Sequence, residues 1–280
     1  MPESRNPYID SDGIPKLRRS VVAFIDILGY MDLVKSANSE KDSQALLGRL
    51  HNALQSARET VDPNRSEDTM PKLGDKDSSA FRAFTDNIVI GAPIRDDGEI
   101  ELAGVFDSLS YFQVCMAIEG FFVRGAIAIG DLYMDDIAVF GAGLIEAYEG
   151  ESTLARDPRI VLAPSAQLAV NRHLESYGRG SHAPQNRYLL RDSDGQYFVN
   201  YLDTIIPVDG CFYEKELGAH KARIEEKLAL LRSRPSVLAK YLWATNYHNY
   251  WCDQNSCVDG SMKIDTESFQ LMPARLVPDA

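Results

Sequence analysis

The sequence lacks an excess of basic residues and any long apolar run. Its 280 residues hold 29 Lys and Arg against 41 Asp and Glu, which gives a net charge of −12. Binding duplex nucleic acid requires clustered basic side chains for the phosphates, so we do not expect that partner. The most apolar early run, Val21 to Leu28, is interrupted by Asp26 and is far shorter than the ~20 residues that span a membrane.

Cysteine is also scarce, and no signal peptide is evident. The four cysteines show no CxxC pair, which makes a zinc site improbable. The segment Met1–Asp10 is polar and lacks the apolar region of a secretory signal. Together these features predict a cytoplasmic protein with no membrane partner. The chain also has no GxxxxGK[ST] loop, which excludes a P-loop nucleotide enzyme.

What is present predicts an α+β fold. The periodicity indicates, in order, a strand at 20–28, a helical stretch to about 60, a loop at 62–79, two short strands within 80–92, a helix at 101–119, a strand at 121–129, a turn at 130–136, a returning strand at 137–140 and a helix from 141 to about 151. The order β-α-β-β-α-β is typical of a ferredoxin-like sheet with helices on one face.

The rest of the chain alternates short strands with helices, the clearest at 213–232 and 236–251. No composition break marks a linker. We therefore predict one domain overall, with a polar N-terminal arm at 1–19, a core at 20–156 and a C-terminal α/β elaboration at 157–280 packed on that core.

Two acidic residues stand out because they interrupt apolar strands. Asp26 lies near the end of SVVAFIDIL, and Asp86 lies between the next two strands. A split sheet can place both at one edge, where two carboxylates repel unless they are protonated or bridged by a cation. Oxygen ligands of this kind suit Mg²⁺ or Mn²⁺. Taken singly, Asp26 is more readily interpreted as a helix N-cap and Asp86 as a turn former. Taken together, on these two strands, they favour a metal site.

These residues carry a resemblance to class III nucleotidyl cyclases, closest to the pyrimidine cyclases of Pycsar antiphage systems. FIDILGY at 24–30 resembles the first metal motif of that family, and FTDN at 84–87 resembles the second. RGAIAIGD at 124–131 and FGAGLIEAY at 140–148 are similar to the strand and helix that follow. The segment KYLWATNYHN at 240–249 looks like a tail that the Pycsar enzymes share.

The resemblance implies a homodimeric enzyme that cyclises a nucleoside triphosphate with two divalent cations. Asp26 and Asp86 would be the catalytic metal ligands, with the Ile27 carbonyl as an added ligand. Amides around Leu28, Gly29 and Tyr30 would receive the triphosphate at a strand-to-helix turn. Phe24 and Arg124 are counted among the nucleotide-binding positions. The product would be a 3′,5′-cyclic nucleotide read by a downstream effector protein.

The sequence departs from the purine cyclases at the base-reading positions. Arg82 and Ala138 appear where purine cyclases carry a Lys and an Asp. Ala138 offers adenine no acceptor, and Arg82 offers only donors, which match the two carbonyls of uracil. The expected order of substrates is therefore UTP, then CTP, then ATP. The alternative for Arg82 is a surface salt bridge.

A second departure concerns the transition state. Ile145 and Glu149 replace an Asn and an Arg of purine cyclases, and glutamate cannot stabilise developing negative charge. Either the register of the comparison slips here, or another cation such as Arg124 or Arg156 substitutes, or the protein is a catalytically silent cyclase-like domain. Arg124 could instead pair with Glu119 or Asp131. A polymerase-palm relative is the third hypothesis, and the acidic charge counts against it.

Other features are interpreted structurally. His248 is more readily a satisfied histidine than a base. The aromatic residues of 241–251 are expected to be core or dimer contacts. The apolar segments 104–122 and 140–148 are candidates for the dimer interface.

Overall fold

The fold combines one sheet with helices on both of its faces. A computed structural model describes residues 6–61, 79–84, 86–177, 183, 185–206 and 213–269. The strands are β1 (Arg18–Ile27), β2 (Ala80–Phe84), β3 (Asn87–Pro93), β4 (Val123–Met134), β5 (Val139–Phe140), β6 (Ile160–Leu162), β7 (Leu189–Arg191) and β8 (Tyr197–Val199). The helices are α1 (Tyr30–Ser36), α2 (Glu40–Val61), α3 (Glu99–Ile118), α4 (Ala142–Leu154), α5 (Pro164–Tyr177), α6 (Gln185–Tyr188), α7 (Glu214–Leu230) and α8 (Pro235–Gln254). Within the described ranges, none of these helices is long and apolar enough to cross a bilayer.

The strand order defines the topology of the core. The sheet runs β2-β3-β1-β4-β6-β8-β7, with β5 paired to β4. Within the run β2-β3-β1-β4 every pair of adjacent strands is antiparallel, which is the order and direction of a ferredoxin-like βαββαβ core. The predicted α+β, ferredoxin-like fold is therefore confirmed. Strand β6 joins β4 in parallel, so the C-terminal elaboration extends the same sheet.

Alternation along β1 sends its side chains to two different layers. Val21, Ala23 and Ile25 are fully buried with residues of α2, α3 and α5. Val22 and Phe24 point to the opposite face, hereafter the α4 face, where Leu144 and Ala147 of α4 pack. Because strand side chains alternate, Asp26 lies on the α4 face.

Close contacts between small residues seat α4 on β4. A Cβ atom added to Gly130 would lie 2.7 Å from the Cα of Gly143, and one added to Gly150 would lie 2.7 Å from the Cβ of Ala126. The predicted turn at 130–136 is wrong, because β4 continues to Met134. Gly130 marks a close approach between the strand and the helix rather than a chain reversal.

The predicted helical stretch between the first two strands is two helices. The break falls at 37–39, where Ser39 caps α2. Its hydroxyl accepts from the backbone N–H of Asp42 at 3.1 Å and donates to the Asp42 carboxylate at 2.7 Å. This reciprocal bonding starts a new helix because it satisfies an N–H that has no intrahelical partner. The loop predicted at 62–79 lies, apart from Ser79, outside the described residues.

The N-terminal segment packs against the sheet through one aromatic residue. Tyr8 is fully buried on the α4 face, and its hydroxyl donates to Ser20 Oγ at 2.9 Å. The Asn6 amide donates to the Met134 carbonyl at 2.8 Å. The segment therefore ties the start of β1 to the end of β4.

Helix α3 belongs to the core of the chain. Phe106, Leu109 and Phe112 are fully buried beneath the sheet. The interface role predicted for 104–122 is therefore wrong, because this helix is already covered by its own chain. By contrast, segment 140–148 exposes Phe140, Ile145 and Tyr148.

Candidate functional site

The two predicted acidic residues lie at the same edge of the sheet. Asp26 is the penultimate residue of β1 and stands opposite Asn87 of β3. The backbone N–H of Ile27 donates to the Asp86 carbonyl at 3.0 Å, which fixes Asp86 beside the end of β1. The Asn87 side-chain amide donates to Asp86 Oδ1 at 3.1 Å. The structure thus brings together the two carboxylates that the sequence singled out.

An arginine bridges this edge to α4. Arg124 of β4 stands opposite Asp26, and its Nε donates to Asp26 Oδ2 at 3.1 Å. Its Nη2 lies 2.7 Å from Glu151 Oε1 of α4. The partners of Arg124 are therefore Asp26 and Glu151, rather than the Glu119 or Asp131 that the sequence allowed.

Glu151 is a residue that the sequence analysis missed. Its side chain is only 5% exposed, and its Oε2 accepts from Ser152 Oγ at 2.9 Å. It is held there because α4 approaches β4 closely at Gly150. The available signal was its spacing, since Gly143, Ala147, Gly150 and Glu151 form one buried helical stripe. A glutamate on such a stripe predicts a buried cation partner.

Burial and mutual repulsion disfavour the charged forms of these carboxyl groups. Burial is the main cause that raises the pKa of Asp26, and the negative charge of Asp86 raises it further. Burial also raises the pKa of Glu151. The Arg124 guanidinium opposes both shifts but is shared between two carboxylates. The ionised forms of these carboxyl groups therefore need compensating positive charge, which a bound cation would supply.

A lysine of the C-terminal elaboration faces the same group of charges. Burial, followed by repulsion from Arg124, lowers the pKa of Lys240 of α8. The next residue, Tyr241, packs edge-on against Phe122 with ring centroids 5.2 Å apart. The Phe122 carbonyl accepts from the backbone N–H of Leu28 at 2.8 Å. Helix α8 therefore borders the strand ends that carry Asp26 and Arg124.

The residues after β1 form a tight strand-to-helix turn. Gly29 has a φ of +71°, a left-handed conformation that favours glycine, and its carbonyl accepts from the N–H of Leu33. The Leu28 amide is engaged with Phe122, and the Tyr30 side chain packs against the core. Phe24 lies on the α4 face, where its ring meets that of Tyr148 edge-on at 5.4 Å.

The two predicted base-reading positions come together at the far side of the α4 face. Arg82 of β2 is paired with Val89 of β3, and Val89 is paired with Phe24 of β1. The Arg82 side chain therefore lies on the α4 face, two strand spacings, or about 10 Å, from β1. Its Nε donates to the Asp135 carbonyl at 2.6 Å, and its guanidinium pairs with Asp136. The same turn holds Ala138, whose N–H donates to Asp135 Oδ1 at 2.7 Å.

Other predicted positions are either exposed or part of the core. Ile145, Glu149 and Arg156 have exposed side chains, the first two on the outer side of α4. His248 is fully buried and hydrogen-bonds to His220 and to the Met262 carbonyl, each at 2.9 Å, which confirms a satisfied histidine. The aromatic residues of α8 are mainly core, since Tyr241, Tyr247 and Trp251 are buried.

The donors at the site are limited to a few oxygen atoms. Among the described residues, no group of three or more His, Cys, Asp or Glu side chains is placed to hold a metal ion. The pair Asp26 and Asp86 supplies carboxylate oxygens of the kind that Mg²⁺ and Mn²⁺ prefer. The donor chemistry therefore fits these ions, with the other ligand positions left to water or a substrate.

The fold and site together define an α+β protein with an acidic, arginine-bridged sheet edge. No family model and no curated protein matches the chain. Among solved structures, the chain is similar to a class III adenylyl cyclase-like ATP-binding protein from Pseudomonas aeruginosa, with a TM-score of 0.41 and 12% identity. The match covers 65% of this chain and 42% of that protein. The chain thus spans less than half of that relative, and this similarity does not by itself identify a function.

Proposed function

We propose that the protein is a nucleotidyl cyclase that converts a pyrimidine nucleoside triphosphate, UTP before CTP, into its 3′,5′-cyclic monophosphate and pyrophosphate. The observation that carries this proposal is the placement of Asp26 and Asp86 side by side at the end of β1. These two residues belong to separate motifs, FIDILGY and FTDN, and 60 positions of sequence separate them. Their meeting at one edge is what a two-metal phosphoryl-transfer site requires.

Asp26 and Asp86 would hold two divalent cations, Mn²⁺ or Mg²⁺, with the Ile27 carbonyl as a further ligand. Such ions, when bound, lower the pKa of an attacking hydroxyl and neutralise a leaving pyrophosphate. Arg124 would give up its bond to Asp26 and keep its ion pair with Glu151. The Leu28 amide predicted for the triphosphate is instead bonded to the Phe122 carbonyl. The rest of the strand-to-helix turn, at Gly29 and Tyr30, lies next to this edge and is our candidate for contact with the triphosphate.

Base choice would depend on Arg82. Its guanidinium forms the salt bridge that was the alternative interpretation, with Asp136, and also bonds to the Asp135 carbonyl. Its remaining donors would serve the carbonyls of uracil, and the side chain of the neighbouring Ala138 offers adenine no acceptor. Cytosine keeps one carbonyl acceptor for Arg82 but adds an amine donor at N4, whereas adenine presents no carbonyl. For this reason CTP is the second substrate in our order, ahead of ATP.

The active form would be a homodimer. Segment 137–148 and β2 expose apolar side chains, among them Phe84, Ile137, Phe140, Ile145 and Tyr148. Exposed apolar surface of this kind marks an interaction site, and twofold homodimers are the commonest oligomers. The cyclic product would serve as a second messenger for an effector protein in antiphage defence, as in the systems that the motifs resemble.

A catalytically silent nucleotide-binding domain is the second candidate. It is favoured by the pairing of Arg124 with two carboxylates and by the exposed Glu149 where an arginine is expected. A silent domain would bind nucleotide without turnover, so one experiment separates the two candidates.

The experiment is to incubate purified protein with each nucleoside triphosphate and Mn²⁺, and to resolve the products by chromatography. We expect cyclic UMP as the main product, and its complete loss in Asp26→Asn and Asp86→Asn. Asp96→Asn, at an exposed aspartate away from the site, is the matched control and should keep wild-type turnover. Unchanged turnover in either site variant would contradict the site, and cyclic AMP formed as fast as cyclic UMP would contradict the base assignment.

A further inference from the structure

The sheet provides one arginine at the site, and that arginine is already neutralised. Arg124 contacts Asp26 and Glu151 at 3.1 and 2.7 Å, so its single positive charge is divided between two carboxylates. A bound triphosphate carries several negative charges and is best held by charge-assisted hydrogen bonds. A second cation from another part of the chain would meet this need.

Lys240 is anchored beside the site by the residues that follow it. Tyr241 packs on Phe122, which directly precedes β4. Trp243 donates from Nε1 to Asp192 Oδ2 at 2.6 Å and stacks with the Arg159 guanidinium 5.6 Å from its ring. The Arg159 carbonyl in turn accepts from the N–H of Gly125, the neighbour of Arg124, at 3.1 Å. This turn of α8 is therefore fixed against the start of β4.

The charged end of Lys240 is available for a ligand. Within the part of the chain that the structure describes, it makes no hydrogen bond and no ion pair closer than 4 Å. Its positive charge is attracted by the carboxylates of Asp157, Asp26 and Glu151. Its stem is partly buried, which limits the volume that the ammonium group can sample.

We propose that Lys240 is a phosphate-binding residue of this site, so that the C-terminal elaboration contributes a cation to a centre built by β1, β3 and β4. This inference rests on the proposed function, since it assumes that the polyphosphate of a nucleotide occupies this edge. It assigns a role to α8 that the core alone cannot fill, because the core arginine keeps its ion pair with Glu151 even when Asp26 holds a cation.

The test uses inorganic tripolyphosphate with Mg²⁺ as the probe, because this ligand has neither a base nor a reactive hydroxyl. Binding to the full-length chain is measured by isothermal titration calorimetry. Lys240→Met keeps the apolar stem and removes the charge, and it should weaken binding by about tenfold or more. Lys240→Arg should restore most of the affinity. Lys215→Met removes the same charge from an exposed position of α7 and should leave binding unchanged.

The outcomes distinguish this proposal from the proposed function. Equal affinity of wild type and Lys240→Met, or an equal loss in Lys215→Met, would overturn the role of Lys240 even if the wild type makes cyclic nucleotide. A wild type that binds tripolyphosphate through Lys240 but forms no cyclic product would support the role and overturn the cyclase. A wild type that does not bind the probe would overturn the proposal for Lys240. Thermal unfolding of each variant confirms that it is folded.

Discussion

Removal of the Arg124 guanidinium should destabilise the protein in a pH-dependent way. The substitution Arg124→Met keeps much of the side-chain volume and deletes the charge that faces Asp26 and Glu151. Glu151 is 5% exposed, so its carboxylate would be left buried without a cationic partner. The nearby negative charges would then repel without compensation.

The size of the expected loss in stability follows from the burial of Arg124, Asp26 and Glu151. Breaking a buried ion pair by removing one partner costs roughly 3–5 kcal/mol. Arg124 and Asp26 are 25% and 19% exposed, so water screens part of their interaction. We therefore expect a loss of about 2–4 kcal/mol in the free energy of unfolding near neutral pH. Arg187→Met, which breaks an ion pair in which Arg187 is 62% exposed, is the control and should cost less than about 1 kcal/mol.

The pH dependence of this destabilisation shows whether charge is its cause. Burial raises the pKa of Glu151 in the native state above its unfolded value, so its contribution favours folding at low pH and is lost as the pH rises through the native pKa. Without Arg124 that pKa rises further. The difference in the free energy of unfolding between Arg124→Met and wild type should therefore be small near pH 4 and reach its full size near pH 7, about three pH units higher.

The assay is urea unfolding at both pH values, with the slope compared to confirm an unchanged unfolding transition. The double variant Arg124→Met/Glu151→Gln should recover at least about half of the loss, because no buried charge remains at Glu151. An equal loss at both pH values would show that packing rather than charge is responsible. A double variant no more stable than Arg124→Met would refute the proposed role of Glu151.

Two further predictions concern packing and buried histidines. Gly130→Ala should lower the free energy of unfolding by about 1–3 kcal/mol, because its Cβ meets the backbone of Gly143. Gly48→Ala, which has open space in α2, should raise it by about 0.5–1 kcal/mol. Urea midpoints that move in the same direction in the two variants would contradict this. Burial lowers the pKa of His220 and His248, so both contribute stability above about pH 6.5 that is lost as the pH falls. The thermal unfolding midpoint should therefore drop between about pH 7.5 and 5, and less so in His220→Gln. The same drop in both proteins would exclude the histidine pair as its source.

Local patterns in the sequence were sufficient for much of the fold. The alternating residues of β1 and the two short strands around Asp86 predict a sheet, because each strand buries a face defined by every second residue. The order of these elements then restricts the topology to a ferredoxin-like core. The turn predicted from Gly130 was wrong, because a residue without a side chain permits either a turn or a close approach of another element, and sequence alone does not separate the two.

Part of the candidate site was also predictable from the sequence, and part was decided only by the tertiary structure. Asp26 and Asp86 were found from sequence because each interrupts an apolar strand, so the local pattern itself is irregular. The partners of Arg124 were decided only by the tertiary structure. Asp26 lies 98 positions from Arg124, and Glu151 reaches it because Gly150 lets α4 approach β4. Lys240 joins the group through the packing of Tyr241 on Phe122. Such contacts depend on how elements distant in sequence pack, and the spacing within any one element carries no record of that packing.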